Sequence, residues 1–210
     1  RIERYEEGMD HLRIAETLAR RLGDARCLTR THEALALAWD QQGQHERALR
    51  HATHALRFET SLNDPVWLAT AHTIAGRSAA RLGLHDLAIT HCLAAIPVQR
   101  EHGDHDGEAN SVFTLGLVAQ DTGDNDRAVN YFHESLAVFR AQANAPLEAD
   151  TLDRLGHAHA ALKQQDRTRE VWWEALELYR AQGRREDAER MQRQLRELDP
   201  EDDPATESAT

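Results

Sequence analysis

The chain has 210 residues, carries 25 Lys and Arg against 36 Asp and Glu for a net charge of −11, and contains two cysteines. So acidic a balance argues against nucleic acid or anionic lipid as a direct ligand, because counterion release needs a basic face. Cys27 and Cys92 cannot build a disulfide framework, which points to a reducing, cytoplasmic setting, and no apolar run approaches the roughly 20 residues of a membrane span.

Aromatic residues make up 5% of the chain, while Ala, Leu, Arg, Glu and Gln abound, so the expected fold class is all-α. Arg1 stands where an initiator Met would, and Arg1-Ile2-Glu3-Arg4-Tyr5 already reads as helix, so the chain is expected to be cut from a longer protein. The next stretch, Tyr5 to Leu22, behaves as an unaccompanied second helix of a repeat. From there the chain matches itself at a shift of 40 residues. Ala36, Gly76, Gly116 and Gly156 form one column of small residues. Ala48, Ala88, Ala128 and Thr168 form a second, and Ala55, Ala95, Ser135 and Ala175 a third, followed by Leu56, Ile96, Leu136 and Leu176. Turn residues recur as Gly43, Gly83, Gly123 and Lys163, each trailed by an acid where a helix N-terminus favours negative charge.

Helical spacing between the turns predicts first helices at about 25–42, 64–82, 105–122 and 146–162, and second helices at about 45–61, 85–101, 125–142 and 165–182. The units are therefore 24–63, 64–103, 104–143 and 144–183, after a second-helix remnant at 1–22. Residues 184–198 read as a closing helix with a polar outer face. The acidic tail 199–210, with five acids and two prolines, is expected to be disordered. Pro97 falls inside a second helix, where it should bend or end it near Leu93 to Pro97.

The order of small residue, turn glycine, alanine and alanine resembles the tetratricopeptide repeat. Leu115-Gly116, Gly123-Asp124, Asp126-Arg127-Ala128 and Ser135-Leu136 carry the resemblance best. It implies a right-handed αα-superhelix over residues 1–198, with four helix pairs and a half unit at each end. The unit here is 40 residues where the usual one is 34, and Lys163 and Thr168 weaken the fourth. In this type of 40-residue unit with Gly-Asp linkers, the chain also resembles the C-terminal repeats of actinobacterial antibiotic-regulatory activators and related nucleotide-dependent regulators.

Candidate chemistry is sparse. His45, His51 and His54, echoed by His85 and His91, read as turn and surface positions repeated with the unit, and no His-Glu-x-x-His pattern occurs. The loop His102-Gly103-Asp104-His105-Asp106 has no comparable set in the other units, so no metal site is expected. A Gly-x-Ser-x-Gly elbow and a phosphate-binding loop are both absent, which argues against an enzyme and leaves no catalytic residue or cofactor to assign. Trp39 and Trp172 are expected in the core, and Trp67 and Trp173 at the surface or against a partner.

In stacked helix pairs the first helices line the partner groove. The small-residue column then points Arg30, Glu33, Leu37, Thr70, Thr73, Arg77, Asn110, Phe113, Leu117, Asp150, Asp153 and His157 into it. Members of the resembled family that clamp a terminal carboxylate do so with Lys, Asn and Arg, whereas this groove offers Arg77 with no Lys or Asn beside it. Phe113 and Leu117 instead suggest an apolar anchor site, flanked by Arg77 and by Asp150 and Asp153, suited to a helix or extended segment with some basic residues. The expected function is a non-catalytic interaction module that binds a protein or peptide segment, or another domain of the same protein, as the regulatory arm of a bacterial transcriptional regulator. Homodimerisation through the open edge of Tyr5 to Leu22 is the alternative, and a metal-dependent enzyme the third.

Overall fold

The computed structural model describes the backbone of residues 2–58 and 65–198, and the side chains of 7–57 and 65–198. The Asn63-Asp64 linker and the tail 199–210 lie outside the described residues. Within them there are ten helices and no strand: α1 (Ile2–Leu22), α2 (Ala25–Gln41), α3 (His45–Phe58), α4 (Pro65–Arg81), α5 (His85–His102), α6 (His105–Asp121), α7 (Asn125–Ala141), α8 (Ala145–Ala161), α9 (Gln165–Ala181) and α10 (Arg185–Leu198). The fold is all-α, with the helices where the 40-residue period puts them.

Local chemistry fixes the helix ends. Asp24, Asp124 and Asn144 accept hydrogen bonds from the backbone N–H groups of Cys27, Arg127 and Leu147, satisfying donors that the first turn leaves open. Asp104 does the same for Gly107 at 2.9 Å, so the acid in the His102 to Asp106 loop is a helix cap. Each turn closes with a return bond five residues back, as in Gln44 N to Trp39 O, Leu84 N to Ala79 O, Asp124 N to Ala119 O and Gln164 N to His159 O. The turn requires a left-handed residue, which Gly43, Gly83 and Gly123 provide; Lys163 adopts φ 59° in the same place.

The described chain divides into two compact units, Arg1–Val118 and Ala119–Thr210, with the division inside α6. In the first unit, α1 packs on α2, α2 on α3, α3 on α4 and α4 on α5. In the second, α7 packs on α8, α8 on α9 and α9 on α10. The aligned columns are the contact surfaces: Ala36, Ala48, Ala88, Ala128 and Thr168 are all fully buried. Small residues let the backbones approach until nothing larger fits. A Cβ on Gly76 would lie 2.8 Å from Cys92 Sγ and 3.3 Å from the Ala88 carbonyl oxygen, and one on Gly156 would strike the Trp172 indole. Gly8, which stands in the first alanine column, is exposed with no atom within 4 Å of the position its Cβ would take.

Pro97 does not end its helix. α5 runs unbroken from His85 to His102; Pro97 and the residue four before it, Leu93, whose carbonyl loses its donor, are both exposed. Trp172 is buried as expected, but Trp39 is only half-buried, with the Arg47 guanidinium 4.6 Å above its ring.

Candidate functional site

The first helices α2, α4 and α6 present one face of the first unit. Along it run side-chain contacts between residues 37 or 38 apart, one repeat less about one helical turn. The Arg30 guanidinium sits 4.5 Å over the half-buried Trp67 ring. Arg77 Nε lies 2.8 Å from Asp40 Oδ2, and the same carboxylate receives His45 at 3.0 Å and Ser78 at 3.5 Å. Thr73 Oγ1 lies 3.0 Å from Ser111 Oγ, and Gln99 of α5 closes the set by donating to Thr73 at 2.8 Å and accepting from Ser111 at 3.1 Å.

These contacts change the reading of the sequence-predicted residues. Arg77 is committed to Asp40 rather than offered to a partner. Thr73 is buried within its polar triangle. Leu117 is only 6% exposed, so it belongs to the core and cannot anchor a ligand. Leu37 and Arg30 are exposed, while Glu33, Thr70, Asn110 and Phe113 are half-buried. Thr70 and Asn110 spend one bond each on their own helix, to the carbonyls of Val66 and Asp106. A hydroxyl and an amide retain further donor and acceptor capacity after that.

Asp150, Asp153 and His157 belong to the second unit and form a different arrangement. Arg190 of α10 reaches Asp153 Oδ2 at 2.8 Å, and the Tyr179 hydroxyl donates to the same oxygen at 3.1 Å. His157 stands 3.4 Å from the other oxygen, and Arg184 holds Asp150 at 2.8 Å while its guanidinium lies 4.4 Å over the Tyr179 ring. Burial would raise the Asp153 carboxyl, but hydrogen bonds from His157 and Arg190 outweigh it and hold the group down at about 2. The two acids expected to receive a basic partner are thus occupied by arginines of the chain itself.

Histidines form the most unexpected feature. His32 Nδ1 and His51 Nδ1 lie 3.0 Å apart, with His54 stacked on His32 at 5.2 Å between ring centroids. One repeat later, His72 Nδ1 and His91 Nδ1 lie 2.8 Å apart. His51 and His91, expected at the surface, are half-buried between a first and a second helix. Burial pushes His32 and His72 down to about 4, the neighbouring imidazoles adding to the effect. Both pairs are therefore neutral hydrogen-bonded contacts at pH 7. His32 and His72 are themselves 40 residues apart, and each precedes its partner by 19, so the pairing was present in the repeat as a recurrent signal. No group of three His, Cys, Asp or Glu among the described residues is arranged to hold a metal ion, and no described helix is long and apolar enough to cross a membrane. Burial raises the Cys92 thiol to about 12, which makes it an inert core group. Trp173 is the one tryptophan among the described residues that stands largely in solvent.

Residues 67–141 match the family model of the tetratricopeptide repeat. No curated protein sequence matches the chain. Among solved structures, BtubC from P. vanneervenii superposes with a TM-score of 0.66 at 19% identity, over 98% of this chain and 93% of that one. A signal-transduction ATPase with numerous domains and a tetratricopeptide repeat sensor, from Pyrococcus horikoshii, gives 0.72 at 18% identity over 90% of this chain, which spans 29% of that protein. A Rap protein complexed with competence and sporulation factor gives 0.73 at 12% identity over 90% of this chain and 58% of that one. At such identities the likeness is one of fold.

Proposed function

We propose that this chain, a tetratricopeptide-repeat fold whose residues 67–141 match the family's own pattern, is a non-catalytic recognition module for a peptide or protein segment. The observation that supports this is the state of the first-helix face in the first unit. Its cations are engaged, Arg30 over Trp67 and Arg77 with Asp40, while Leu37 remains exposed and Thr70, Asn110 and Phe113 stay partly open. Such a face suits a segment that brings an apolar side chain and unpaired backbone amides rather than a strong charge. That replaces the partly basic partner inferred from Asp150 and Asp153, whose charges are met by Arg184 and Arg190. The expected family of uses is regulatory, as the sensor arm of a larger cytoplasmic bacterial transcription regulator. Support for that finer reading comes from the solved neighbour described as an ATPase with a repeat sensor, and from the neighbour solved with a factor bound.

A random peptide display library panned on the full chain tests the recognition role. Enriched peptides should carry an aliphatic or aromatic residue, and Leu37→Ala with Phe113→Ala should weaken them by at least about tenfold, the loss of a buried apolar anchor. Equal binding by that variant would move the site elsewhere. Sequencing the source gene upstream of the Arg1 codon tests the regulatory role. A phosphate-loop motif preceded by a helix-turn-helix is the expected result, and an initiator Met within a few codons would contradict it.

A further inference from the structure

The second helices α3, α5, α7 and α9 turn their outer faces to solvent, and α5 differs from the rest. Its outward stripe runs Asp86, Ile89, Leu93, Pro97 and Arg100, all exposed, with Leu87 beside it. Leu93 is 56% exposed, Leu87 39% and Ile89 36%. The corresponding helices place charge on this face: Arg47, Arg127 and Arg167 stand where α5 has Leu87, and Arg57 and Glu177 stand where it has Pro97. The interior of the α5 stripe carries no charge that burial would have to desolvate.

The stripe is symmetric about Leu93. Asp86 and Arg100 lie seven residues to either side of it, and Ile89 and Pro97 four. Two α5 helices crossing antiparallel at Leu93 would therefore bring Asp86 of each copy to Arg100 of the other. Ile89 would meet Pro97, and Leu93 would meet its own twin on the two-fold axis. Arg100 bonds Glu108 through its guanidinium yet keeps a side chain 57% exposed, and a guanidinium carries five N–H donors. Antiparallel pairing also opposes the two helix dipoles. A face that is apolar at its centre and oppositely charged at its two ends is complementary to itself, which is what an isologous contact requires. We infer that α5 is a self-association surface, and that its occupant is α5 of a second copy of this chain. One helix face falls short of the roughly 800 Å² per partner of a standard interface, so the dimer is weak and depends on concentration.

Sedimentation equilibrium of the full chain between about 10 µM and about 1 mM, a range suited to a contact of this size, reads the result directly. The inference expects a monomer–dimer equilibrium that Leu93→Glu weakens by at least about tenfold, since the variant buries two like charges at the axis. Because Leu93 is exposed, that variant should keep the wild-type circular dichroism and melting point. Asp86→Arg should weaken the dimer as well, whereas Asp126→Arg, the same position of α7, should not. Leu93→Cys should form a disulfide-linked dimer under mild oxidation with its two-fold partner. A chain that stays monomeric throughout overturns the inference. So does a dimer indifferent to Leu93→Glu, or one lost instead with Ile14→Glu on the exposed edge of α1.

Discussion

A missing Cβ sets how closely α4 and α5 approach. Gly76 meets Cys92 Sγ and the Ala88 carbonyl so closely that a methyl group there must displace one of them. Gly76→Ala should therefore cost about 1–3 kcal/mol in denaturant unfolding, despite alanine's better helix propensity. In a Cys92→Ala background the sulfur is gone and only the backbone contact with the Ala88 carbonyl at 3.3 Å remains, so the same substitution should cost clearly less. A simple sum of the two single effects would contradict close packing as the cause.

The histidine pairs make a second residue-scale prediction. A pair with its Nδ1 atoms 2.8 or 3.0 Å apart needs a neutral acceptor, so protonating both rings breaks the contact. His32 and His72 titrate near 4 when folded and near 6.5 when unfolded, so between those values the unfolded chain binds protons that the folded chain refuses. The stabilising contribution is complete above about 6.5 and is lost as pH falls toward about 4. Around His32 the facing groups are Glu16, Arg20, His51 and His54, with the Glu16 carboxylate opposing the shift; around His72 the facing group is His91. Unfolding free energy measured between pH 7 and pH 4 should fall, and His32→Gln with His72→Gln should flatten the slope. An unchanged slope in that variant would assign the acid sensitivity to other groups.

At the scale of the element, what the sequence reveals depends on whether a feature repeats at the period used to find it. Helix positions and the buried alanine columns follow a 40-residue shift and were legible from it. Contacts between successive first helices follow a shift of 37, because the facing side chain on the next helix sits about one turn earlier. Arg30 with Trp67, Asp40 with Arg77, Asp153 with Arg190 and His157 with Gln194 all obey it. Comparing columns alone therefore assigns Arg77, Asp150 and Asp153 to a partner but does not reveal that each has a counter-charge within the chain. Burial of Leu117 was likewise invisible, since the phase of a helix gives direction and not cover. Pro97 shows the limit of a local rule, since α5 continues through it with Pro97 and Leu93 both exposed.

α10 supplies the element-scale prediction. It packs on α9 with Ala188, Met191 and Leu195 buried, and its polar tie to α8 is Arg190, which meets Asp153 while Tyr179 and His157 complete the carboxylate's shell. Asp153→Ala removes the nearer acceptor of the Tyr179 hydroxyl and of Arg190, leaving them Asp150 at 3.3 Å and Asp187 at 3.1 Å. Arg190 is partly exposed, so the loss should be moderate, about 1–3 kcal/mol, rather than the full cost of breaking a buried pair. Amide hydrogen exchange should speed up in α10 and α9, with α2 to α4 unaffected. Acceleration spread evenly over the chain would contradict a local fastening.

For the whole molecule, the charge of −11 is a poor guide to the recognition face, because the groups nearest it are paired. What the first-helix face retains is apolar surface at Leu37 and Phe113 with polar groups at Thr70 and Asn110, and what the second-helix side retains is the uncharged centre of α5. The two surfaces lie on different helices, so a segment held by α2, α4 and α6 and a second copy held by α5 need not compete. A Leu93→Glu protein that binds peptide normally would separate the two.

Hydrogen exchange of the full chain, with and without a library-selected peptide at saturation, tests the recognition role most directly. Slowed exchange concentrated in α2, α4 and α6 is the result the account predicts, with protection lost in the Leu37→Ala, Phe113→Ala protein. Protection confined to α3, α5 or α7 would contradict it, and would place the partner on the outer helices instead.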